Sequence, residues 1–147
     1  MTRIEPAIAV VQRVLPAPPE VVFDEWLDPV SLSDWMCPHP ARAVRIELDP
    51  RVAGRLRIDI EEEGSEFSVS GTFLALERPG RIVFTWSCTA WADPELESVV
   101  TVTLEPHGPG HTLMKILHES LPDGTRERHE RGWNLIAQQL ENELSSS

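Results

Sequence analysis

The stretch from Asp123 to Leu144 constrains this chain more than any other. No proline interrupts it, and His129, Trp133, Ile136, Ala137, Leu140 and Leu144 recur at spacings of three and four. That spacing sets one apolar stripe along a helix, with Arg, Glu, Gln and Asn on the remaining surface. At roughly 1.5 Å of rise per residue, such a helix crosses a small domain. A stripe that carries Trp133 has to be buried against something, so the rest of the chain has to supply a matching apolar face.

The rest reads mostly as strands. Ile8 to Leu15 is rich in valine and isoleucine and is stopped by Pro16, Pro18 and Pro19. Two short helices follow. The first bears Val22, Phe23 and Trp26 on one face and ends at Asp28-Pro29; the second runs from Val30 to Trp35, with Asp28 or Ser31 as its cap. Met36 to Pro40 is a loop. From Ala43 the period changes to two. Val44, Ile46 and Leu48 share a face, then Leu56, Ile58 and Ile60, then Phe67, Val69, Gly71, Phe73 and Ala75 within Phe67 to Leu76. Ile82, Phe84, Trp86 and Cys88 follow in Arg81 to Cys88, Val100, Val102 and Leu104 in Ser98 to Glu105, and Met114, Ile116 and His118 in His111 to Glu119. Turn signals at Pro50 to Gly54, Glu63-Gly64-Ser65, Pro79-Gly80 and Pro106 to Gly110 separate these runs. Short turns between consecutive strands predict an antiparallel meander, and no βαβ alternation points to a parallel sheet. Ser145 to Ser147 reads as a frayed tail.

Length and charge narrow the function. A chain of 147 residues is large enough for one domain with a real core. A formal net charge of -11 argues against general nucleic-acid binding and against docking on an anionic membrane. No apolar run approaches the roughly 20 residues that span a bilayer. Glu5 and Pro6 break the short apolar N-terminal patch, so no signal peptide is read and a cytoplasmic location is expected. Cys37 and Cys88 are expected to be reduced thiols in a monomer or weak homodimer.

In their order and spacing, Ala17 to Trp35 (APPEVVFDEWLDPVSLSDW), Glu47 to Ile58 (ELDPRVAGRLRI), Gly71 to Trp86 (GTFLALERPGRIVFTW), Leu117 to Leu121 (LHESL) and Glu130 to Leu144 (ERGWNLIAQQLENEL) resemble the START-like, or helix-grip, superfamily. Within it the chain resembles the family named after the activator of heat-shock-protein-90 ATPase. The resemblance covers nearly the whole chain; Ala53-Gly54 departs from a usual Gly-Gly pair. It implies an α+β fold in which a curved antiparallel sheet of about seven strands grips the C-terminal helix, as one domain over residues 1–147 with a core from about 8 to 144. It also implies a cavity between sheet and helix, but no single activity.

Five tryptophans and no tyrosine suit an aromatic-lined cavity, and suit a packed core equally well. Core packing is the preferred reading for Trp26 and Trp133, on helix faces that the fold has to bury; for Trp35 and Trp91, nearer loops, both readings stand. His118 ends an apolar strand face. It is read either as a polar contact at the cavity or as a buried histidine satisfied by backbone or by the neighbourhood of Arg57, and the second is preferred. His129, among Arg126, Glu127, Arg128 and Glu130, reads as part of a solvated face or the helix start. Cys37, His39 and Cys88, and likewise His107 and His111, lack metal-site spacing, and GxSxG, P-loop and GxGxxG signatures are absent. Neither metal nor cofactor is expected.

The sequence therefore points to non-catalytic binding of a small hydrophobic molecule. The expected lining is Phe23, Trp26, Trp35, Ile58, Phe73, Trp86, Trp91, Ile116, His118, Trp133 and Ile136, in a pocket between helix residues 133–140, the sheet, and the loops at Trp35 and Trp91. A chaperone-accessory or stress-response interaction domain is the first alternative. It is weakened because no stretch is left for the extra N-terminal domain of the eukaryotic activator. An enzyme acting on a polyketide-like apolar substrate is the second.

Overall fold

The computed structural model describes residues 7–146. The N-terminal segment up to Pro6, and Ser147 of the expected tail, lie outside the described residues. The element order is β1 (Ala9–Leu15), α1 (Pro19–Trp26), α2 (Pro29–Trp35), β2 (Arg42–Leu48), β3 (Arg55–Glu62), β4 (Ser65–Glu77), β5 (Arg81–Cys88), β6 (Ser98–Pro106), β7 (Thr112–Glu119) and α3 (Arg126–Ser145). The strands form one seven-stranded sheet in the order β1-β7-β6-β5-β4-β3-β2, with every neighbouring pair antiparallel. The expected α+β helix-grip architecture is the one observed. β1 closes the sheet beside β7, and α1 and α2 are inserted between the two edge strands in sequence.

Local chemistry accounts for the helix ends. Pro19 and Pro29 each sit at the start of a helix, where a missing N–H costs nothing. The Asp28 carboxylate accepts from the Val30 N–H and caps α2, 2.9 Å away. α3 begins at Arg126, three residues later than its apolar pattern suggests, because Gly124 (φ 76°) turns the chain out of Pro122-Asp123. It continues through Ser145, whose hydroxyl donates to the Glu141 carbonyl, so that residue is helical and not a tail.

Two strands break the simple alternation. A register shift between Ala43 and Arg45 leaves Val44 exposed and puts Ala43, Ile46 and Leu48 against the core, where Val44 was expected. A second shift between Phe73 and Ala75 exposes Leu74 and turns Leu76 inward instead of Ala75. One extra residue in a strand reverses the facing of all that follow. Glycine is required at two places. A Cβ on Gly71 would lie 1.8 Å from the Thr85 carbonyl oxygen, and one on Gly54 would lie 2.2 Å from that of Asp49. Ala53, which departs from the family's Gly-Gly pair, holds a left-handed φ of 70°, a conformation that costs a non-glycine residue about 1–2 kcal/mol.

The core is one cluster built from the concave face of the sheet and from all three helices. The C-terminal half of α3 is tied down closely. Ala137 and Leu140 are wholly buried, and Glu141 forms an ion pair with Arg13, which points inward from edge strand β1. Gln139 makes three hydrogen bonds to the chain leaving α2: its Nε2 donates to the carbonyls of Trp35 (3.0 Å) and Cys37 (2.8 Å), and its Oε1 accepts from the His39 N–H (3.0 Å).

Candidate cavity between the sheet and helix α3

Under the first half of α3 the helix touches the sheet through Trp133 but leaves a gap beside it. A cavity of about 520 Å³ lies there. Its floor is Ile58, Ile60, Val69, Trp86 and Cys88 from β3, β4 and β5, with Phe67 near the hairpin tip. Its roof is the α3 face from Arg128 through Ile136. Met36, Pro38 and Ala41 wall one side, Ala90 and Trp91 another. Gln139 fixes the first of these walls, because the backbone that it holds is the one carrying Met36 and Pro38.

Of the residues expected to line a site, Ile58, Trp86, Trp91, Trp133 and Ile136 do so. Phe23, Trp26, Trp35, Phe73 and Ile116 are buried in the core and do not reach the cavity. α1 and α2 cover the other end of the sheet, so the tryptophans on and after them fill space instead of lining it. Trp26 and Trp35 meet edge to face, ring centroids 4.9 Å apart, and neither indole N–H has a hydrogen-bond acceptor. The cavity lies one turn nearer the helix N-terminus than expected, under residues 128–136 instead of 133–140.

His118 is fully buried and outside the cavity lining. Its partners are neither backbone nor Arg57, which faces solvent and pairs with Asp59. The Trp133 indole Nε1–H donates to His118 Nδ1 (3.0 Å), and His118 Nε2 faces Ser98 Oγ (2.7 Å), whose hydroxyl donates to the Trp86 carbonyl (2.6 Å). An indole only donates and a carbonyl only accepts, so the direction of the relay is fixed: His118 is the neutral tautomer with its proton on Nε2. Burial pushes its pKa down to about 3, helped by nearby His129. The relay locks Trp133, a cavity wall, onto the sheet.

His129, read from the sequence as part of a solvated face or the helix start, and Gly132, which pattern reading did not single out, complete the site. His129 is a lining residue, stacked edge to face on Trp91 (5.8 Å) and His118 (5.2 Å). Its Nδ1–H donates to the Thr125 carbonyl, leaving Nε2 as an acceptor, and burial lowers its pKa. Gly132 lies on the roof, and a Cβ there would meet nothing closer than Pro38 Cγ at 3.9 Å. A mid-helix glycine costs about 1 kcal/mol relative to alanine, so packing gives no reason for it, while the open space beneath it does. Both thiols are buried and unlinked. Burial raises the Cys88 thiol pKa and, with Glu62, pushes that of Cys37 up to about 12.

The model of the family described as activator of Hsp90 ATPase homolog 1-like protein matches residues 16–145. The chain belongs to that family. Members of solved structure share the whole architecture. A protein from Chromobacterium violaceum is 30% identical with a TM-score of 0.86, covering 94% of this chain and 96% of its own. The AHSA1 protein from Silicibacter pomeroyi is 27% identical with a TM-score of 0.81, over 94% and 97% of the two chains. An HSP90 activator from Plasmodium falciparum is 25% identical with a TM-score of 0.75, over 94% and 96%. No curated protein matches the chain. Among the described residues, no helix of this family member is long and apolar enough to cross a membrane.

Proposed function

We propose that the chain binds a small hydrophobic molecule in the cavity beneath the first half of α3, and holds it without transforming it. The observation that carries this reading is the hollow itself. A volume of about 520 Å³, walled by aromatic and aliphatic side chains with few polar groups, has the size and character of a ligand site. A holding role is supported by the state of the polar groups at hand. Burial displaces the Cys88 thiol away from thiolate, and among the described residues no hydrogen bond pairs it with His129, so no activated nucleophile-base pair faces the space there. Free buried thiols suit a reducing, cytoplasmic setting.

The test is a titration with phenylnaphthylamine, a neutral fluorescent probe, against wild type and Gly132→Leu. Wild type should bind at micromolar probe and lose Trp fluorescence. The variant, whose added side chain enters the cavity, should bind at least about tenfold more weakly while keeping its fold. Equal binding by the two proteins would refute the site. The description of the Plasmodium relative as an HSP90 activator supports a second reading, in which the chain docks on a chaperone. That reading moves to first place if no apolar probe binds and an Hsp90 ATPase responds to the protein.

A further inference from the structure

Resting on the ligand-binding reading above, we infer that the ligand is an amphipathic acid, whose anionic head is held at the cavity mouth by Arg128 and Arg131 while its apolar body lies under Trp133. The first argument is charge. The chain carries a formal -11, yet the charged side chains lining the cavity are Arg128, Arg131 and Glu62, a net positive set. His129 adds no charge at neutral pH, because its pKa is lowered below that of an ordinary histidine.

The second argument is pairing. Arg13, Arg42, Arg45, Arg51, Arg57, Arg78, Arg81 and Arg126 all sit in ion pairs. Among the described residues, the cationic side chains in no ion pair are Arg55, Lys115, Arg128 and Arg131, and the last two are those at the cavity. In so acidic a protein, two arginines three residues apart on one helix, both at the cavity and without a carboxylate partner, are an anion site in waiting.

The third argument is position. Arg128 stands in the first turn of α3, where the helix dipole disfavours a cation, so helix stability does not account for it. Both features that make this end of the helix electropositive, the dipole and the arginines, favour an anion. Arg128, Arg131, Gly132 and Leu135 are spaced i, i+3, i+4, i+7, so they form one strip along the helix face over the mouth. Leu135, 46% exposed, continues it with an apolar surface that solvent alone does not favour. Head, notch and body therefore follow one another along the strip.

The experiment displaces phenylnaphthylamine with three chain-matched amphiphiles below their micellar concentrations: dodecanoate, dodecanol and dodecylamine. Wild type should prefer dodecanoate to dodecanol by about tenfold, the effect of one net charge-assisted contact, with dodecylamine weakest. Raising salt should narrow the preference. The double substitution Arg128→Gln and Arg131→Gln should remove it, weakening dodecanoate about tenfold relative to dodecanol. Both arginines are exposed, so the fold should survive. Dodecanol matching dodecanoate in wild type, or the double variant weakening both alike, would overturn the acid-head assignment while leaving an apolar site in place. Failure of phenylnaphthylamine itself to bind would overturn both readings together.

Discussion

The two halves of α3 rest on the same sheet and end differently. The C-terminal half, around Ala137 and Leu140, is closed: α2 and β1 pack against the helix, and Phe23, Trp26, Leu32 and Trp35 fill the space between. The N-terminal half, from Arg128 to Ile136, spans a hollow. A curved sheet and a straight helix cannot touch everywhere, and the two short helices cover only one end. Hollowness here is thus a consequence of where α1 and α2 are inserted. Gln139 marks the border, with its three hydrogen bonds to the strand of chain between filled and open ends.

The contrast is sharpest in the tryptophans. Trp35, wholly buried in the filled end, should cost about 3–5 kcal/mol when replaced by alanine, read by urea unfolding. Trp91, half-buried beside the cavity, should cost less than about 1 kcal/mol but weaken probe binding. Equal costs would abolish the distinction between the two ends.

Acid should act through the relay that pins Trp133. The His118 pKa is depressed to about 3 in the folded protein from an ordinary 6.5, so the unfolded chain binds the proton more readily. The stability from keeping it neutral is fully present above pH 6.5 and is lost as pH falls toward 3. The loss should reach about 2–3 kcal/mol by pH 4.5, measured as the urea midpoint against pH. His129, also lowered, adds in the same direction. The lowered carboxyl of Asp59, held by Ser68 and Arg57, acts only below the usual carboxylate range, so the window above pH 4.5 belongs to the histidines. His118→Gln should flatten the profile; an unchanged slope would refute the relay.

Gln139→Ala deletes three hydrogen bonds at the border and should cost about 1.5–3 kcal/mol, with the loop from Met36 to Pro40 gaining hydrogen exchange. The smallest effect is a gain. Gly132→Ala should raise stability by about 0.5–1 kcal/mol, since the added Cβ meets only ordinary contact. A loss would mean that Gly132 is there for packing after all.

The fold was legible because its signals are local. The period of Trp133, Ile136, Ala137 and Leu140, the alternation of Leu56, Ile58 and Ile60, and the proline and glycine turns each name an element without reference to the others. The bulges at Val44 and Leu74 were not legible, because an apolar residue sits on both phases there and alternation cannot choose. His118 was misplaced in the expected site for a different reason: Ser98 and Trp133 reach it only through sheet register and helix packing. Gln139 looked like a solvated helix position for the same reason. The cavity did leave two traces in the sequence: a glycine inside a long helix, and two arginines three apart beside it.

The most direct measurement labels all five tryptophans with fluorine and follows them by nuclear magnetic resonance as phenylnaphthylamine is added. If the hollow under the first half of α3 is a binding site, the resonances of Trp86, Trp91 and Trp133 shift and saturate together, while that of Trp35 in the filled end stays fixed. Unmoved resonances throughout, or shifts centred on Trp26 and Trp35, would contradict it.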